Sequence, residues 1–278
     1  RQMCIRDRIV PEAGSRPSRR NEFWYRLERV AVRRADLVIA ANEDRARVMQ
    51  EHYGLARLPS VMRNIPPVKA DRADLTAAIS RRPELAKKSA SEFRVIYQGA
   101  MSLERGLGDV VAALLYLPQT YTLMMVGGGP DLPSLIQMAK QSGVIDRCVF
   151  LGQVPNEDLL MLSSTADVGI VAYPFEGMNN IYCAPNKLFE YAQSGLPVVT
   201  SCQPALAAAV QDYGIGVCVA KGAGAVGYAE AIESIAANGR DAYKEAIRHF
   251  VEDNTWENEK RQVSDAIATL VIGEVDEC

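Results

Sequence analysis

Apolar residues in this chain gather in short runs separated by stretches of helical spacing, and that alternation predicts an α/β protein. Six runs read as strands: Phe93 to Gln98, Tyr121 to Val126, Cys148 to Leu151, Val168 to Ala172, Pro197 to Thr200 and Gly216 to Val219. Helical patterns such as Leu107 to Leu115 and Asp131 to Ser142 separate them. Short apolar strands alternating with helices predict a doubly wound parallel sheet covered on both faces. Ligands of such sheets bind beyond the carboxyl ends of the strands, where the strand order reverses.

The first part of the chain has the same rhythm but less of it. A helix from Ser18 to Ala35 leads into a strand at Asp36 to Ala41, a helix from Glu43 to Tyr53 stops at Gly54, and a short strand from Ser60 to Asn64 ends at Pro66 and Pro67. Two strands are too few for a sheet that stands alone. The expected organisation is therefore a partial unit over 9–67, a linker over 68–90, a complete α/β domain over 91–240 and closing helices over 241–278. In the last of these, Asn254 followed by Glu257 predicts a cap on a helix from Trp256 to Leu270. Residues 1–8, RQMCIRDR, resemble a translated sequencing-adapter scar, so the expectation is a chain that has lost its true N-terminus.

Composition narrows the partners. With 48% hydrophobic and 23% charged residues the 278-residue chain is an ordinary globular one, and a net charge of -3 with pI near 5.6 offers no field for nucleic acid. Six cysteines without CxxC spacing fit a reducing cytosol. No apolar run reaches the roughly 18 residues that span a bilayer, and the expectation is a cytoplasmic protein without signal peptide. His52 and His249 stand apart from any acid or cysteine constellation, and no cluster has metal-ligand spacing. Near the start, Arg16, Arg19, Arg20, Arg26, Arg29, Arg33 and Arg34 surround Phe23, Trp24 and Tyr25. That mixture reads either as a solvated helix with a buried aromatic edge or as a peripheral contact with the inner face of an anionic membrane.

The densest chemistry lies in Cys183 to Thr200, CAPNKLFEYAQSGLPVVT. Pro185 suits the first position of a helix whose free amides and dipole attract an anion. Lys187 and Glu190, at i and i+3, share one face of that helix, and Gly195 ends it ahead of a buried strand. Lys187 is then either a phosphate contact or the solvated ion-pair partner of Glu190. Three glycine turns share the carboxyl edge with this helix start: Gln98 to Gly106 (QGAMSLERG), Gly127 to Pro130 (GGGP) and Gly152 to Pro155 (GQVP). The second is no dinucleotide fingerprint, because Leu132 stands where the third glycine would.

In this order and spacing the segments resemble the nucleotide-sugar-binding domain of GT-B glycosyltransferases, the large retaining group that is family 4-like, with PNKLFEY and SGLPVV as the strongest elements. The resemblance implies two Rossmann-like domains, the C-terminal one complete here and only part of the N-terminal one. It also implies transfer of a sugar from a nucleotide diphosphate sugar to a glycan or lipid-linked acceptor in cell-envelope polysaccharide synthesis, with retention and without metal or other cofactor. Such a fragment is expected to bind nucleotide but to transfer nothing alone. By the same resemblance Arg105, before Gly106, and Lys187 are the catalytic cations on the diphosphate, Ala100 replaces a second basic residue, and Glu190 holds the ribose. Gly99, Gly129 and Pro130 line the donor cleft, Val154 borders the base, Tyr173 sits at the rim, and Asn186 and Leu188 flank Lys187 in the substrate-binding helix. Tyr182 stands where a leading glutamate would, leaving Asn179, Asn180 or Tyr182 to bond the donor sugar. Trp256 would anchor a terminal helix crossing back onto the N-terminal domain. Alternatives are a nucleotide-sugar epimerase of this architecture and a non-catalytic nucleotide-sugar-binding subunit.

Overall fold

In the computed structural model, which describes residues 19–67 and 88–273, α1 (Arg19–Arg33), β1 (Ile39–Ala40), α2 (Glu43–Tyr53) and β2 (Ser60–Val61) make a small unit. Residues 1–8, Arg16 and most of 68–90 lie outside the described residues. Strands β1 and β2 pair in parallel through only Ile39–Ser60 and Ala40–Val61, shorter than the apolar runs suggest. Val32, Ala40, Ala46, Met49 and Tyr53 form the unit's own core. Helix α2 keeps its expected ends: the Asn42 side chain accepts the Arg45 amide, and Gly54 closes it at φ +63°. Tyr25 packs inward from α1, but Phe23 and Trp24 are 61% and 50% exposed, which corrects the buried aromatic edge. His52 is no surface histidine. Its ring packs against Tyr25 and Tyr53, its buried Nε2 has no hydrogen-bond partner among the described residues, and burial holds its pKa below the ordinary value.

The larger sheet has six parallel strands: β3 (Phe93–Gln98), β4 (Tyr121–Val126), β5 (Cys148–Gly152), β6 (Val168–Val171), β7 (Val198–Ser201) and β8 (Gly216–Val219). Their spatial order is β5-β4-β3-β6-β7-β8, so the winding reverses between β3 and β6. Between the strands run α3 (Leu107–Ala113), α4 (Leu132–Gln141), α5 (Asn156–Ser164), α6 (Met178–Ile181), α7 (Asn186–Gln193), α8 (Pro204–Tyr213) and α9 (Gly224–Asn238), followed by α10 (Lys244–Asp253) and α11 (Trp256–Gly273). Helices α4, α3 and α9 form one layer, and α5, α7, α10 and α8 the other. Covered on both faces, β6 and β7 are buried at every residue, which explains their unbroken apolar sequences.

At the reversal the two halves diverge. The β3–β6 ladder runs only through Val95–Val168 and Ile96–Gly169. Beyond it the Tyr191 ring crosses Gly169, where an added Cβ would meet the ring at 2.5 Å, and the Tyr191 hydroxyl accepts the Gln98 amide at 2.9 Å. A glycine inside a strand thus lets a helix side chain replace the next ladder bond.

The closing helices tie the two units together. Phe250 of α10 stacks on Phe189 of α7 at 5.6 Å, and α11 lies against β2. Glu259 of α11, 1% exposed, accepts the Arg63 amide at 2.6 Å and pairs with the Arg63 guanidinium. Two expectations are corrected here. Thr255, not Asn254, caps α11 by accepting the Asn258 amide, while Asn254 accepts from Arg63 and donates to Phe250 O. Trp256 is only half-buried, and the contact that ties α11 to the small unit runs from the buried Glu259 carboxylate to the partly exposed Arg63. Among the described residues no helix is long and apolar enough to cross a membrane, and Cys148, Cys183, Cys202 and Cys218 are free.

Candidate functional site

The turns after β3, β4 and β5 continue the sheet as a stack of hydrogen bonds. Gly99 N–H donates to Val126 O at 2.9 Å, Met101 N–H to Gly128 O at 3.0 Å and Gly127 N–H to Gly152 O at 2.8 Å. Gly99 and Gly127 adopt φ +133° and +136°, and a Cβ on Gly127 would stand 1.9 Å from Gly99 O. Only glycine lets two turns approach so closely at that dihedral. Above them opens a cleft of about 590 Å³, lined from these turns by Gly99, Ala100, Gly128, Gln153 and Val154 and from α7 by Asn186, Lys187 and Glu190.

Helix α7 begins one residue later than its sequence suggests. Pro185 keeps an extended ψ of 129° and occupies the capping position, so Asn186 is the first helical residue. No side chain caps the first amides. A one-turn helix-like segment, Leu103–Arg105, closed by Gly106 at φ +70°, brings Arg105 to the same cleft.

Lys187 is 7% exposed, and its Nζ has no hydrogen-bond partner among the described residues. It lies 4.1 Å from the centre of the Tyr97 ring and 5.5 Å from that of Tyr173, while the Arg105 guanidinium carbon stands 4.9 Å from the centre of the Tyr173 ring. Burial, then the nearby Arg105 charge, lowers the Lys187 pKa to about 7. Burial also pulls on Arg105, but Tyr173 and Tyr97 outweigh it and hold its pKa above the ordinary value. Tyr173 thus lines the cleft with both cations near its ring. Its backbone is pinned from β7, because Tyr173 N–H donates to Ser201 Oγ at 3.0 Å and the fully buried Gln203 donates to Tyr173 O at 2.7 Å.

Glu190 forms no solvated ion pair with Lys187. Its carboxylate accepts from the Gln98 amide, whose oxygen accepts from Ser163 Oγ of α5 at 3.1 Å. Burial raises the Glu190 pKa against the lowering effects of Gln98 and Lys187. The sequence pattern assigns no site role to Tyr97, Gln98, Gln153 or Ser163. The strand pattern marks Tyr97 and Gln98 only as β residues, and nothing local shows that α5 and α7 meet over them.

Of the residues expected at the site, Gly99, Arg105, Val154, Tyr173, Asn186, Lys187 and Glu190 converge on the cleft. Gly129 packs against the Met101 backbone and, with Pro130, is exposed outside the cleft lining, where Gly127 and Gly128 take their place. Leu188 points the other way, into a second cavity of about 410 Å³ between α7, α8 and the small unit. Asn179, Asn180 and Tyr182 do not line the cleft either. Arg45 of α2 bonds Asn179 and Tyr182 O, Asn42 bonds Cys183 O at 3.0 Å, and Asn180 bonds Glu176 O at 2.9 Å. Among the described residues no group of three or more His, Cys, Asp or Glu could hold a metal ion.

Residues 92–238, more than half of the chain, match the family model described as glycosyl transferases group 1. The chain belongs to that family. This group 1 domain is 30% identical over 144 residues to a glycogen synthase of Mycobacterium tuberculosis, a match that takes in 51% of the chain and 33% of the relative. It is 27% identical over 150 residues to the 2-deoxystreptamine glucosyltransferase of Streptomyces kanamyceticus, over 51% of the chain and 38% of that protein. The chain thus spans well under half of the curated relatives it matches. Its fold is that of the GT-B glycosyltransferases. Anabaena HepE in complex with UDP and glucose superposes with a TM-score of 0.71 at 18% identity, over 87% of this chain and 66% of HepE. The sucrose-phosphate synthase of Thermosynechococcus elongatus gives 0.70 at 22% identity, over 94% and 64%.

Proposed function

We propose that the cleft is the donor site of a glycosyltransferase, which binds a nucleotide diphosphate sugar and moves the sugar, with retention, to a hydroxyl of a glycan or lipid-linked acceptor in cell-envelope polysaccharide synthesis. One observation carries this reading: the Lys187 ammonium is buried in the cleft beside Arg105, and among the described residues nothing hydrogen-bonds to it. A buried cation without a partner is costly, and a second cation beside it makes the cost larger, so the site is built for a ligand of at least two negative charges. A diphosphate meets that need, and it gains charge as the glycosidic bond to it breaks. Cations already in place stabilise that charge without reorganising, which is the catalytic work assigned to Arg105 and Lys187. The open amides of α7 add to it. Glu190, held by Gln98, accepts the ribose hydroxyls, and the base lies by Val154. UDP is the first nucleotide to test, because HepE was crystallised with it.

Calorimetry with UDP and GDP on the parent chain and on Lys187→Met and Arg105→Ala tests the binding. The parent should bind one nucleotide, and each substitution should weaken it by about tenfold or more, as expected for a lost charge-assisted contact. Equal binding by parent and Lys187→Met removes the reading. Labelled donor with and without acceptor separates transfer from epimerisation, which needs no acceptor.

We also propose that α1 rests on an anionic membrane surface. It carries five arginines against two glutamates, and Phe23, Leu27 and Val30, at one-turn spacing, are exposed together with Trp24. The chain should sediment with phosphatidylglycerol vesicles and not with phosphatidylcholine, and the double substitution Phe23→Ser, Trp24→Ser should release it. Retention of the double variant on vesicles refutes this.

A further inference from the structure

The two cations of the cleft are not held by carboxylates but by aromatic rings. Tyr97 is fully buried at the end of β3, its hydroxyl donating to Ala100 O at 3.0 Å, so the ring cannot turn away. Its face lies 4.1 Å from Lys187 Nζ. The glycine at 99, beside the hydroxyl end of that ring, leaves room for Nζ, since an added Cβ there would stand 3.2 Å from Nζ and 3.6 Å from the Tyr97 hydroxyl. The ammonium thus packs against both a ring face and a bare turn, where the turn after β3 meets the cleft. The groups facing it are Arg105 from the turn segment, Tyr173 after β6, Cys183 before α7, Glu190 on α7 and Tyr97 itself.

We propose that Tyr97 is a positioning residue of the anion site: the negative face of its ring keeps Lys187 charged and aimed into the cleft before any anion arrives. This rests on the proposed anion site and adds a residue to it. A desolvated ammonium over an aromatic face is attracted by the ring quadrupole. That attraction favours the protonated form, the only form that binds an anion, against burial and the repulsion from Arg105. The ring therefore extends anion binding to higher pH than Lys187 would reach in an aliphatic pocket.

The test replaces Tyr97 by phenylalanine and by mono- and trifluorinated phenylalanines, which keep the shape of the ring while draining its face. Inorganic pyrophosphate and UDP are titrated calorimetrically between pH 6 and pH 9, and melting is followed in parallel. Affinity at pH 8 should fall stepwise with fluorination, by about threefold or more from phenylalanine to the trifluoro variant, and the pH midpoint of binding should move down while melting stays level. An affinity and midpoint that stay constant across the fluorinated series overturn the proposal. Lys187→Met is the control: if it binds pyrophosphate as the parent does, the anion site itself is wrong, whatever the ring does.

Discussion

The side-chain amide of Gln98 donates to the carboxylate of Glu190, ninety-two residues further along the chain, across the point where the strand order reverses. The bond joins the end of β3 to α7, and Ser163 of α5 completes it from the third element. The carboxylate so held forms part of the cleft wall.

Glu190→Ala should weaken UDP binding by roughly tenfold or more, because the ribose hydroxyls lose a buried acceptor. It also strands the Gln98 amide, so a melting loss of a few degrees accompanies it. Glu190→Gln should keep more affinity than Glu190→Ala. Calorimetry and a melting curve on both variants check this; an affinity unchanged in Glu190→Ala rules out the ribose role.

Lys187 ties stability and binding to pH in opposite senses. Its pKa of about 7 in the fold lies below the ordinary 10.5, so between these values the unfolded chain holds more protons than the folded one. Stability of the free protein therefore rises with pH through that window. Nucleotide affinity should instead fall as pH rises past about 7, where the ammonium is lost. Lys187→Met should flatten both dependences and raise stability at neutral pH, read by denaturant titration and calorimetry at several pH values.

Two glycine turns should respond very differently to alanine. Gly127→Ala drives a Cβ to 1.9 Å from Gly99 O, and should cost about 3 kcal/mol or more or abolish folding. Gly106→Ala meets nothing within 4 Å at φ +70°, and should cost only about 1 kcal/mol. Urea titration of the two variants measures the difference.

Arg240, far from the cleft in sequence, donates to Ser164 O, Ala166 O, Ser194 O and Gly195 O and so closes the C-terminal ends of α5 and α7. Arg240→Ala should destabilise the fold by about 2 to 4 kcal/mol by leaving those carbonyls unpaired. Lysine, which lacks the planar fork, should recover less than half of that loss. Denaturant unfolding of the two variants gives the values.

Local sequence was enough for the elements that local physics controls. The apolar runs match β3 to β8 within a residue or two, because a strand buried on both faces has no other composition open to it, and Gly54 ends α2 in the left-handed conformation that glycine adopts without strain. That Pro185, Lys187 and Glu190 share an edge with the glycine turns was legible for a related reason, since turns and helix starts after parallel strands meet at one end of the sheet, and the resemblance added Arg105 to that edge. Contacts between distant elements were not. Leu188 sits beside Lys187 in sequence, yet helical geometry turns one into the second cavity and the other into the cleft. Asn179 and Tyr182 stand in the sequence as candidate donor-sugar contacts, but α2 brings Arg45 to them, and Thr255 caps α11 while Arg63 bonds Asn254. The partner of the Lys187 charge was decided only by tertiary structure. Glu190 is one turn away on the same helix, but Gln98 takes its carboxylate, and folding leaves the ammonium against the ring of Tyr97, a strand residue that no spacing rule connects to it.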